Sequence, residues 1–229
     1  MPLAIERSTD PDRWTIDVPD QRDSEDLPAA LDAAIAEVAE KGGGETHLWI
    51  HDIDDPADAI ANAAGFTANR DLWQLRCALP AEPSTIETRA FTPADADAMI
   101  GVNNRAFSWH PEQSGMTRDS LAATMAEPWF DPDGFRLFER DGEVLGFCWT
   151  KVHADEEPPA GEVFVIAVDP DHHGKGLGRA LTLAGYQHLE AQGITRGILY
   201  VDADNTPAVT LYLDIGLEVA VVRRLYTRA

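Results

Sequence analysis

The chain has 229 residues, with 40 Asp or Glu against 18 Lys or Arg and a formal net charge of −22. A hydrophobic content of 44% and a charged content of 25% belong to a globular chain and exclude disordered and fibrous classes. The acidic balance excludes the basic face that binding to phosphate backbones needs, so no nucleic-acid partner is expected.

The opening MPLAIERSTD has no basic region followed by an apolar core, so no secretory leader is expected. The longest apolar stretch, Val163 to Val168, is too short to cross a bilayer, and the expectation is a cytoplasmic protein with no membrane partner. Cys77 and Cys148 lack CxxC partners, which points away from disulfides and zinc.

In chain order, Leu27, Leu31, Ile35 and Val38 form a helical stripe, and His47–Ile50 reads as a strand. Two prolines in Pro80-Ala-Glu-Pro-Ser84 interrupt both helix and strand. The division expected is a first part over residues 1–80, a linker over 81–85 and a second part over 86–229. In the second part, Ile86–Phe91 reads as a strand and Thr92-Pro93 as the start of a helix running toward Asn104. Thr117–Glu127 reads as a second helix. Phe135–Arg140 and Glu143–His153 read as strands joined by the hairpin turn Asp141-Gly142. Glu162–Asp169 is a nearly continuous apolar run, as in a strand buried on both faces. A helix follows from Leu177, then a strand over Gly197–Asp204, a helix over Thr206–Ile215 ended by Gly216, and a last strand over Leu217–Thr227. The order predicts an α/β (α+β) fold, a mixed central sheet with flanking helices.

At an offset of 151 residues the two parts echo each other. His47-Leu-Trp-Ile50 falls on Ile198-Leu-Tyr-Val201, Pro56-Ala57 on Pro207-Ala208, and Gly65-Phe66 on Gly216-Leu217. The first part therefore reads as a truncated repeat of the later half of the second.

The most informative segment is Val168-Asp-Pro-Asp-His-His-Gly-Lys-Gly-Leu-Gly-Arg179, where a buried strand runs through three glycines into a helix. Glycines let successive backbone N–H groups converge on one anion, and the helix start adds partial positive charge. Lys175 and Arg179 add attraction. The loop is neither GxxxxGK[ST] nor GxGxxG. Over Gly174, Gly176 and Gly178 the repeat sets Asp23, Glu25 and Leu27, so no coenzyme is expected in the first part. His172-His173 has no third ligand at a metal-binding spacing, and no metal is expected. Cys148, between Phe147 and Trp149, reads as core packing rather than a nucleophile.

The loop resembles the [QR]xxGx[GA] loop of the GCN5-related N-acetyltransferases (GNAT), with His173 in the first place. Further segments resemble the mycothiol synthase branch of that family, enzymes with two tandem GNAT domains: Val102–Gln113, Glu127–Gly134, Leu145–His153, Gly161–Pro170 and Leu199–Val209. The resemblance covers residues 86–229. It implies a GNAT acyl-CoA N-acyltransferase fold preceded by a degenerate half-GNAT repeat, and acetyl transfer from acetyl-CoA to the cysteine amine of cysteinyl-glucosaminyl-inositol by a monomer. By resemblance, Glu162 is the general base and Tyr212 the general acid, and Glu112, Lys151, Glu162 and Tyr200 contact the substrate. Acetyl-CoA would lie against the backbone of Ile166, Ala167 and Val168. It would continue along the loop His173, Gly174, Lys175, Gly176, Leu177, Gly178 and Arg179, and along Asn205, Thr206, Pro207, Ala208, Val209 and Thr210. Plainer readings stand beside these: Glu162 as a solvated strand edge, Tyr212 as a core aromatic, Lys151 as an edge residue reaching water, and Asn205 as a helix cap. Another amine acceptor, or a non-catalytic coenzyme- or partner-binding role, fits the same residues.

Overall fold

A computed structural model describes residues 2–9, 12–19, 26–110 and 114–229. Glu112, Asp23 and Glu25 lie outside the described residues. The chain divides into two compact units. One comprises residues 1–74, 201–209 and 219–229, the other residues 75–200 and 210–218. The cut thus falls near Gln74 rather than at the prolines, and the first unit also gathers the last strand.

The first unit holds β1 (Ala4–Thr9), β2 (Asp12–Val18), α1 (Leu27–Glu40), β3 (Thr46–Ile50), α2 (Asp55–Ala63) and most of β4 (Thr67–Ala78) and β10 (Glu218–Arg228). Its strands run in the order β1-β2-β3-β10-β4. Alternation along β2 buries Trp14, Ile16 and Val18, and these meet Leu27, Leu31, Ala34 and Val38 of α1 in one core. The helical stripe is as expected except that Ala34, not Ile35, is fully buried, because the stripe turns slightly around the axis. Asp54 caps α2 by accepting the Ala57 N–H at 2.8 Å. β10 pairs antiparallel with β3, from Arg224–Ile50 to Arg228–Thr46.

The second unit holds β5 (Arg89–Ala90), α3 (Ala96–Ala106), α4 (Arg118–Met125), β6 (Phe135–Arg140), β7 (Glu143–His153), β8 (Ala160–Val168), α5 (Leu177–Ala191), most of β9 (Arg196–Asp202) and the later part of α6 (Thr206–Asp214). The strand order is β9-β8-β7-β6-β5. The opening strand is shorter than expected: only Arg89 and Ala90 pair, with Leu137 and Arg136. Pro93 opens a short 3-10 turn before α3, and the hairpin turn has positive φ at Asp141 (55°) and Gly142 (80°).

The two faces of β7 are sorted by period. A Cβ on Gly146 would meet Leu181, and one on Gly185 would come within 2.4 Å of Cys148 Sγ, so even-numbered residues face α5. Phe147 and Trp149 face the other way, into a core with Met99, Val102 and Leu121 of α3 and α4. There Phe91, Phe135 and Trp149 stack at centroid distances of 4.6 and 4.4 Å.

Elements also keep the sequence offset. α2 and α6 each have nine residues and start 151 residues apart, as do the starts of β4 and β10.

Candidate active site

The α3–α4 face of β7 and β8 gathers the polar residues. Lys151 is the ladder partner of Glu162, so both point to the same side as Trp149. Glu162 is in turn the parallel partner of Ile198 in β9, which puts Tyr200, two residues on, on that side as well. Three residues expected to contact substrate, Lys151, Glu162 and Tyr200, therefore share one sheet face. The Lys151 ammonium lies over the rings of Trp129 (4.9 Å) and Phe164 (5.6 Å), an arrangement that holds a cation at a pocket wall. Glu162 is buried and hydrogen-bonds to His153 Nε2, 2.6 Å from its Oε2.

A cavity of about 350 Å³ opens on this face, lined by Asn103, Ser114, Met116, Ser120 and Thr124 of the helical layer and by Trp149, Phe164 and Val165 of the sheet. The buried indole N–H of Trp149 has no partner among the described residues, which leaves a donor at the cavity wall.

β8 changes partners midway. Opposite Trp149 and Thr150 it carries one extra residue, Phe164, and its pairing with β9 runs only from Ala160–Arg196 to Val163–Leu199. A bulge bends the strand at that point. Beyond it, Asp169 donates its N–H to Leu145 O on the β7 side at 2.9 Å. By alternation Ala167 is also turned to β7, while Ile166 and Val168 direct their N–H groups toward the side where β9 has departed. Of the three amides expected to face the thioester, two are so aimed and Ala167 is committed to the ladder.

The glycine loop follows directly. Asp169 caps a 3-10 turn over Pro170–His172 by accepting the Asp171 N–H and is clasped by Arg105 of α3. Burial alone would raise the Asp169 carboxyl, but Arg105 and the Asp171 N–H outweigh it and hold the group below the ordinary carboxylate range. His173 donates Nε2–H to Val168 O at 3.0 Å, tying the loop to the strand end. Gly174 and Gly176 have φ of 72° and 78°, and a Cβ at either would meet nothing within 4 Å, so conformation and not crowding calls for glycine there. Gly176 caps α5 without a side-chain hydrogen bond, leaving the first N–H groups of a 15-residue helix to an outside acceptor. The loop cations are held by local partners: Lys175 Nζ bonds Asp171 O at 3.1 Å, and Arg179 pairs with Glu82 at 2.5 Å.

Tyr212 is buried on the opposite side of the sheet from Glu162. Burial, and next to it Cys148, lifts its hydroxyl above the ordinary value, so it stays a neutral phenol. Cys148 is fully buried and its thiol is pushed up to about 12 by desolvation, which fits core packing. Residues 205–209 belong to the first unit and Thr210 to the second. Asn205 Oδ1 accepts the Ala208 N–H at 3.4 Å, the helix-capping geometry. Among the described residues no cluster of three or more His, Cys, Asp or Glu could hold a metal ion, and no helix is long and apolar enough to cross a membrane.

Sequence reasoning gave His153 no role. The parity that assigned Lys151 to this face was the available signal, since His153 lies two residues further along the same strand.

The model of the acetyltransferase (GNAT) family matches residues 101–217. A mycothiol acetyltransferase of Nocardia farcinica is 43% identical over 205 residues, covering 85% of this chain and 68% of that protein. One from Thermobispora bispora is 44% identical over 204 residues, covering 85% and 69%. Against six further mycothiol acetyltransferases the chain spans between 58% and 62% of their length. A solved GCN5-related N-acetyltransferase from Sphaerobacter thermophilus has the same fold, with a TM-score of 0.78 at 19% identity over 99% of this chain and 75% of that one.

Proposed function

We propose, from the premise that the chain belongs to the acetyltransferase (GNAT) family and within it to the mycothiol acetyltransferases, that it acetylates the cysteine amine of cysteinyl-glucosaminyl-inositol with acetyl-CoA, inside mycothiol biosynthesis. The observation that carries this is the gathering of Lys151, Glu162 and Tyr200 on one face of a sheet that opens beside the uncapped start of α5.

The pyrophosphate of acetyl-CoA is an anion suited to the free N–H groups of the glycine loop and the first turn of α5. Acetyl-CoA supplies an activated acyl carbon. Where β8 and β9 part, that carbon can meet a nucleophile from the α3–α4 face, with the N–H groups of Ile166 and Val168 aimed at the developing oxyanion. The amine arrives as an ammonium and gives one proton, directly or through a water, to Glu162. Its nitrogen then forms the new C–N bond, the C–S bond breaks, and the thiolate takes a proton from the neutral phenol of Tyr212. The sugar and inositol hydroxyls suit the polar cavity wall, where the Trp149 N–H is available. Glu112, by resemblance, adds a carboxylate to the acceptor site. The stretch 205–210 would flank the pantetheine arm, and the division into a half-repeat and a catalytic part over 86–229 belongs to the same reading.

Incubation with acetyl-CoA and cysteinyl-glucosaminyl-inositol should release CoA thiol, detected with a thiol reagent. Glu162→Gln should lower kcat by about 10²- to 10⁴-fold, the contribution typical of a general base. Binding of acetyl-CoA by calorimetry should stay unchanged. A folded protein that binds acetyl-CoA yet releases no thiol with this acceptor would refute the substrate assignment.

A further inference from the structure

Glu162 works where water scarcely reaches, with a side chain only 8% exposed. A carboxylate there gains from a fixed donor, both to offset desolvation and to choose which oxygen faces the amine. The structure offers one. His153 Nε2 sits 2.6 Å from Glu162 Oε2, while the imidazole keeps 22% of its side-chain surface exposed. The two rings of the pair's surroundings come from the sheet itself: His153 ends β7, two residues past Lys151, which makes it the diagonal neighbour of Glu162 on the same face. Its own backbone is paired with Ala160, so the origin of the ring is fixed.

Resting on the reading of Glu162 as the base, we infer that His153 is a positioning residue for the reaction. It donates Nε2–H to Oε2, locks the carboxylate plane and leaves Oε1 for the ammonium proton or its bridging water. The proton balance is simple: one N–H proton of the substrate ends on Glu162, and the ring keeps its own. The register of β7 on β8 does not need this bond, because the ladder runs from Gly146–Val168 to His153–Ala160 without it. Lys151 does not substitute for it, since its ammonium is occupied above Trp129 and Phe164.

The full chain tests this with acetyl-CoA and cysteinyl-glucosaminyl-inositol. His153→Ala should lower kcat by about 10- to 100-fold, the scale of a misplaced reacting group, with KM for acetyl-CoA unchanged. His153→Gln, whose amide can donate from a similar position, should recover part of the loss. Added imidazole should restore the alanine variant in proportion to its concentration. Equal kcat in wild type and His153→Ala would overturn the inference. So would an equal loss in both variants with no response to imidazole, which would assign the histidine to folding. A wild type without turnover would count against the acceptor reading instead. Crystal structures of wild type and His153→Ala would then decide: a Glu162 carboxylate rotated in the variant supports the inference, and an unmoved one overturns it.

Discussion

Two parallel strand pairs, β2–β3 and β8–β9, each precede a helix or follow one in the same chain order, and they differ in where pairing stops. β2 is paired with β3 from Trp14–Thr46 to Val18–Ile50, and His51 then donates its N–H to Val18 O at 3.1 Å. β8 leaves β9 after Val163–Leu199, five residues before its end. The helices differ as well. α5 starts from a left-handed glycine with its donors uncapped, whereas α1 starts after Asp26 with Pro28, which has no N–H to offer. A thioester site in this fold needs both properties at once: strand amides released from the ladder and helix amides left without a cap. Only the second unit has them.

Three substitutions sharpen the contrast, from the largest expected effect to the smallest. The sequence offset sets Tyr212 over Ala61, so Tyr212→Phe moves the second unit toward the first by removing the phenol. A kcat about 10²-fold lower with unchanged acetyl-CoA binding is expected from steady-state kinetics and calorimetry. Gly176→Val forces a side chain into φ of 78°. The strain of about 1–2 kcal/mol should weaken acetyl-CoA binding roughly tenfold, measured by calorimetry, with little change in kcat at saturation. The converse change, Asp23→Gly with Glu25→Gly, gives the first part its missing glycines but leaves β2 paired to its end. Calorimetry should still find one acetyl-CoA per chain. A second binding event would show that the loop alone suffices and would break the comparison.

The sequence made much of this visible because the deciding signals are local. Asp141-Gly142 marks its hairpin by the φ it demands, and the three glycines ahead of Leu177 mark the loop by theirs. Two-residue alternation put Lys151 on the face of Trp149, and it extends to His153 by the same rule. The bulge at Phe164 left no local mark, since it depends on how many residues of β8 stand opposite Trp149 and Thr150. The union of β10 with β3 was hidden for a similar reason: it joins Arg224–Arg228 to Thr46–Ile50 across most of the chain, and no window of neighbouring residues contains it. Lys175 and Arg179 looked like phosphate ligands from their charge, but the structure gives them Asp171 and Glu82 as partners.

The aromatic wall of the acceptor cavity also makes the protein its own optical probe. Trp149 borders the cavity and Trp129 lies 5.9 Å from it, ring to ring, with Phe164 in contact with both. Indole emission responds to the polarity around the ring, so occupation of the cavity should shift the intrinsic fluorescence without any label. Trp129→Phe and Trp149→Phe would separate that signal from the emission of the other four tryptophans, giving acceptor binding a readout that needs no turnover.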